Sequence, residues 1–280
     1  LALLLAASMR WLVTDAHPED GSTLVSQTLG CAWAAVLLWI FGGRKGSASP
    51  WRSLLAGALF LGGPQMALLV RAPLVDASAL TMALALTPVV IAVAVAAMSG
   101  RQDEELVGRL WPGLAAVAGL LLVLATPTLS NLRSDAVLVL APLATGIGAA
   151  LFCAGELRSA GMGEGGRWAL TGAVTVFFAA TAVEWAIAGR PEIVPLAVAW
   201  DGMLALLSVL TLKAVGETRW AAQFVLLPLI VLLEGIVLVR PEMTWRWAGG
   251  LALLAAASVY LLLPRPEPGD SGRRVTPQAG

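Results

Sequence analysis

From Trp220 to Val239 the chain is apolar almost without interruption. At about 1.5 Å of rise per residue, a helix of that length crosses the hydrocarbon core of a bilayer. A soluble fold would have to bury such a stretch on every side, so it points to a membrane first. Composition agrees: 58% of the 280 residues are hydrophobic and 13% charged, and mean hydropathy is +0.82. An ordinary soluble domain is about half apolar and about a quarter charged. Lys and Arg (18) balance Asp and Glu (18), which gives no pull toward nucleic acid or an acidic partner.

Similar apolar segments occupy roughly residues 1–13, 22–42, 51–70, 77–98, 107–126, 135–155, 167–188, 195–213, 219–239 and 244–263. Their spacing predicts ten transmembrane helices joined by short links. Helices satisfy their own backbone in lipid, and the alternating pattern of barrel strands is absent. The first segment is short and reads as a helix lacking its beginning. The tail, 264–280, is rich in Pro, Gly and charge and is expected to be disordered. Most Lys and Arg lie in the tail or in links after even-numbered segments, among them Arg44, Lys45, Arg101, Arg158 and Lys213. That bias places both termini in the cytoplasm.

The fourth and ninth segments share a plan. Ser78 to Met98 carries Pro88 near its centre, and Arg219 to Pro241 carries Pro228 near its own. Each leads through a charged link to a segment opening on Trp and Gly, Trp111-Pro112-Gly113 in one case and Trp247-Ala248-Gly249 in the other. Five segments per half is an odd number, so the halves run in opposite directions and the two prolines approach the midplane from opposite sides. The fold expected is an all-α membrane protein with two inverted five-helix repeats, residues 1–126 and 135–263. Inverted repeats with interrupted helices are the architecture of secondary transporters.

ALTMALALTPVVIAVAVAAM and RWAAQFVLLPLIVLLEGIVL, with LWPGLAAVAGLLLVLA and WRWAGGLALLAAASVYLLL after them, resemble the fourth and fifth helices of each half of the drug/metabolite transporter superfamily, in its EamA-like branch. The links LVRAPLVDASALT and LTLKAVGETRWAA, with Arg71 and Lys213 similarly placed, resemble that family's short third-to-fourth connections. The resemblance implies alternating-access export of a small metabolite or drug-like solute across a bacterial inner membrane. A proton or solute gradient would drive it, and no cofactor is implied. Its alternatives are a lipid-linked sugar or lipid flippase of the same superfamily, and a non-transporting membrane enzyme or scaffold.

Ionisable and polar groups inside apolar segments are the candidate chemistry, because placing them in lipid is costly. Glu234 is the first, as a proton-carrying or cation-binding carboxylate; a structural carboxylate is the alternative. Gln65 beside Pro64, and Gln223, are candidates for substrate hydrogen bonds or helix contacts. Pro88 and Pro228 free the carbonyls of Leu84 and Phe224, which can bind ligand, act as a hinge, or sit in a static kink. Glu184 and Asp201, near the outer ends of their segments, can form an acidic mouth or be ordinary solvated ends. Gly146, Ala150 and Ala154 make a small-residue ridge for helix packing, within the bundle or in a homodimer. Most of the 11 Trp fall near segment ends, as an aromatic belt requires. Cys31 and Cys153 read as buried free thiols. With one histidine, His17, and no nucleotide loop, zinc-helix motif or nucleophile elbow, neither an enzyme nor a metal site is expected.

Overall fold

The computed structural model describes residues 24–42, 49–70, 77–99, 106–124, 132–154, 164–188, 193–239 and 244–263. The helices in chain order are α1 (Leu24–Phe41), α2 (Pro50–Gly62), α3 (Met66–Leu69), α4 (Ala77–Leu84), α5 (Thr87–Ser99), α6 (Leu106–Val123) and α7 (Leu132–Cys153). They continue with α8 (Glu164–Ala188), α9 (Pro195–Val215), α10 (Glu217–Ala221), α11 (Gln223–Val239) and α12 (Trp245–Leu262). A 3₁₀ turn, Gly63–Gln65, joins α2 to α3. Among the described residues there is no strand.

Among the described residues, six stretches are long and apolar enough to cross a membrane: Leu24–Phe41, Ala79–Met98, Asp135–Cys153, Glu164–Ile187, Pro195–Val215 and Trp245–Leu262. Leu110–Val123 is apolar but shorter. The expected third segment falls short because the 3₁₀ turn divides it, and α11 is only 17 residues long. The first segment, the 264–280 tail, His17 and Arg71 lie outside the described residues. The protein is thus an all-helical chain built for a bilayer. Its outer surface fits: Ile40, Phe41, Trp51, Trp111, Ile187 and Trp245 are all exposed. Trp220 departs from the belt pattern. It is buried, edge-on to Phe60 and Phe224 at 5.8 and 5.3 Å between ring centres.

The closest packing runs in a definite order. The helix α8 lies against α2 and α1, α9 against α1, α12 against α6, and α7 against α2 and α5. One core gathers Phe60, Phe152, Leu170, Phe177, Val209 and Trp220; a second, between α6 and α12, gathers Leu120, Val225, Leu254 and Leu261. Gly146 of α7 closes on Val90, and Ala150 is buried, so that ridge packs within the bundle.

Two of the expected spans are interrupted. Between α4 and α5, Leu86 N–H bonds the Ala83 carbonyl (3.0 Å), while the Leu86 carbonyl accepts from Val89 (2.9 Å) and Val90 (3.1 Å). Between α10 and α11 the same three bonds recur around Ala222. Its N–H bonds the Arg219 carbonyl (3.2 Å), and its own carbonyl accepts from Val225 (3.1 Å) and Leu226 (2.8 Å). Pro88 accounts for the first break, since it has no N–H and crowds the turn before it. The second break does not sit at Pro228, contrary to expectation. Pro228 lies inside the continuous helix α11, as Pro112 and Pro142 do in theirs, and no residue at Ala222 accounts for the break locally.

Candidate functional site

The bundle contains two helix crossings of the same construction. Helices α2 and α9 both begin on proline, Pro50 and Pro195, where a missing N–H costs nothing. Seven residues further on, each carries a glycine, Gly57 or Gly202. A Cβ on Gly57 would overlap the Ala169 backbone of α8, and one on Gly172 would overlap that of Leu54. A Cβ on Gly202 would overlap the Trp33 indole of α1, and one on Gly30 would lie 2.6 Å from the Gly202 nitrogen. Both pairs therefore touch backbone to backbone, as small residues allow in membrane bundles.

The residue before each glycine differs. In α2 it is Ala56, fully buried. In α9 it is Asp201, only 2% exposed. Asp201 Oδ2 accepts a hydrogen bond from Ser26 Oγ at 2.7 Å, a length typical of a charge-assisted bond. Ser26 opens a run of three buried polar residues on α1, Ser26-Gln27-Thr28. Thr28 Oγ1 donates to the Leu24 carbonyl at 2.7 Å and lies 2.9 Å from Thr181 Oγ1 of α8. A hydroxyl has one proton to give, so Thr181 donates to Thr28. Trp33 Nε1–H bonds the Val198 carbonyl at 3.1 Å, which fixes the indole one turn before Asp201.

An ionised aspartate at the centre of a membrane helix costs about 2.5–3.5 kcal/mol on insertion scales. A hydrogen bond to a charged group returns about 1.5–3 kcal/mol. The Ser26 bond offsets part of the cost of burying a carboxylate there. This differs from the exposed acidic mouth expected at Asp201. Glu184, its expected companion, is half-buried and engaged on α8.

The other candidates do not join this cluster. Glu234, on α11, is half-buried, and its enclosed Oε2 has no hydrogen-bond partner. Gln65 is half-buried in the 3₁₀ turn, and Gln223 is half-buried as the first residue of α11, directly after the Ala222 break. Pro88 lines a small cleft with Ile91, Ala92, Val95, Thr218 and Leu261. Beside it Thr87 Oγ1 is buried with no partner. Pro228 is buried within α11. At the opposite end of α1, Arg167 is 5% exposed and stacks its guanidinium on Trp39 at 4.6 Å. Trp168 meets the same ring edge-on at 5.5 Å. Cys31 and Cys153 are buried free thiols, and no group of His, Cys, Asp and Glu among the described residues is placed to hold a metal.

Sequence reading missed Ser26, Thr28, Thr181 and the buried setting of Asp201. A signal existed: Ser26-Gln27-Thr28 is three polar residues in succession inside an apolar segment, and Asp201 stands well inside its own. No protein-family model matches the chain, and no curated protein matches it.

Proposed function

We propose that this protein is a secondary transporter of the drug/metabolite type, resembling its EamA-like branch. In this reading ten helices form two inverted five-helix repeats in a bacterial inner membrane, with both termini in the cytoplasm. They export a small solute by alternating access. The observation that carries the reading is the pair of helix breaks at Leu86 and Ala222, which share the same three backbone hydrogen bonds. Each broken helix also rests on the other, α10 against α5 and α11 against α4. Interrupted helices paired between repeats are where transporters of this architecture bind substrate and coupling ion.

The packing supports the same relation. Exchanging α1 with α8, α2 with α9, α4–α5 with α10–α11, and α6 with α12 turns the α2–α8 contact into the α9–α1 contact. It returns α1–α8 and α6–α12 to themselves and turns α5–α6 into α11–α12. The partner of α7 under this exchange is the first segment. Thr87 and Gln223, each the first residue after a break, become equivalent, so a polar side chain stands at both breaks. The solute pathway runs between the broken helices, past the cleft at Pro88, with Gln223, Pro228 and Glu234 along the same helices and Gln65 in the 3₁₀ turn after α2.

The test is uptake and efflux by the purified full chain in sealed liposomes under an imposed pH gradient, using pooled metabolites. The expected result is protein-dependent movement of at least one solute that collapses with the gradient. Folded protein that moves no solute would overturn the reading. Redistribution of a fluorescent lipid between leaflets in the same vesicles would replace it with a flippase.

A further inference from the structure

We infer that Asp201 is the proton-carrying group of this bundle, taking up a proton at the α1–α9 crossing with Ser26 as the residue that positions it. Its role in coupling rests on the transporter reading; its protonation does not.

The inference begins with the two glycine crossings. The α2–α8 crossing achieves the same backbone contact with Ala56 in place of the acid, so close packing does not require a carboxylate. A buried ionisable group in a membrane segment needs a reason, and proton relays are a principal one. A carrier must also be tolerated in both of its states. When Asp201 is ionised, Ser26 Oγ–H donates to Oδ2. When a proton from the aqueous phase binds the carboxylate, the new acid O–H can donate to Ser26 Oγ, whose own proton turns to another acceptor. A hydroxyl serves as donor or acceptor, so Ser26 can face Asp201 Oδ2 in either state.

The charged and titratable groups on the elements packed around Asp201 are few among the described residues. Helix α1 contains no charged residue and offers Ser26, Gln27 and the Cys31 thiol. On α9 the other charge is Lys213, twelve residues away, or about 18 Å along the axis. On α8, Glu184 lies toward the Asp201 end, while Glu164 and Arg167 lie at the far end. Asp135 of α7 and Glu217 and Arg219 of α10 lie on further packed elements. The readout is also built in, since Trp33 spans from Val198 to Gly202 and reports movement of the crossing.

The experiment uses the full chain in lipid, with difference infrared spectra recorded across pH. Wild type is expected to show a protonated-carboxyl C=O band that titrates, is lost in Asp201→Asn, and shifts in frequency and midpoint in Ser26→Ala. If Asp201→Asn leaves every titrating band in place, the inference falls. Should that variant not fold, a Ser26→Ala spectrum identical to wild type overturns it equally. In liposomes carrying an internal pH dye, the expected effect of Asp201→Asn is loss of proton movement while solute still runs down its own gradient. Unchanged proton movement per solute would overturn the inference and leave the transporter reading standing. A titrating Asp201 band in a protein that moves no solute would do the reverse.

Discussion

The α2–α8 and α1–α9 crossings are built alike and filled differently. Both use a proline-started helix, a glycine at the same position, and backbone contact with a second helix. One seals the contact with Ala56 and the other places Asp201 there, bonded to Ser26. The glycines therefore serve packing, which both crossings need, and the carboxylate serves something only one of them does. Where two crossings share their packing, such a departure is where chemistry is to be sought, because the shared features are already explained by folding.

The comparison is broken most severely at its shared part. Gly57→Ala forces a methyl into the Ala169 backbone, which cannot turn aside as a side chain would. A loss of about 3 kcal/mol is expected, at the upper end for overpacking. Thermal unfolding of the solubilised protein measures it, and Gly30→Ala should behave alike because its Cβ also meets backbone. If either variant is as stable as wild type, the crossings are looser than described and their likeness loses its meaning.

Next in size is Ala56→Asp, which writes the polar crossing into the apolar one. At a position with no exposure, the acid should cost about 2.5–3.5 kcal/mol. In the same assay, a cost near zero would mean that either crossing accepts a carboxylate, so that Asp201 tells nothing. Ser26→Ala is smaller, about 1.5 kcal/mol, for removal of one hydrogen bond to a charged acceptor. That loss should shrink at low pH, where Asp201 is protonated; a loss independent of pH would mean that Ser26 matters for packing alone.

Much of the fold was legible in the residues, for physical reasons. Apolar length reports a span directly, and α1, α7, α8, α9 and α12 begin and end close to where the apolar runs do. The break at Leu86 was legible from Pro88, since a missing N–H is a local property. The break at Ala222 was not, because tertiary packing sets it, and Pro228 drew attention to the wrong turn. The site was less legible still. Distance from a segment end suggested that Asp201 faced water, but whether a carboxylate reaches solvent depends on the helix crossing above it. Only the packing of α1 against α9 brings Ser26 to Asp201 across the bundle.

The smallest expected effect on stability discriminates best. Asp201→Ala makes the α1–α9 crossing a copy of its counterpart, methyl and glycine in succession. Were Asp201 a structural strut, removing it would take an acceptor from the Ser26 hydroxyl and cost about 1–3 kcal/mol, as the loss of a partner to a buried polar group does. If the carboxylate is there for chemistry, its removal relieves a desolvation cost that roughly equals the bond it made. The Ser26 hydroxyl can then rotate toward another acceptor. Stability should change by less than about 1 kcal/mol, while proton-coupled movement of solute is lost. A large loss of stability with coupling retained would make the two crossings two ways of packing helices and nothing more. Near-neutral stability with coupling lost would separate the scaffold, which both crossings share, from the function that one of them carries.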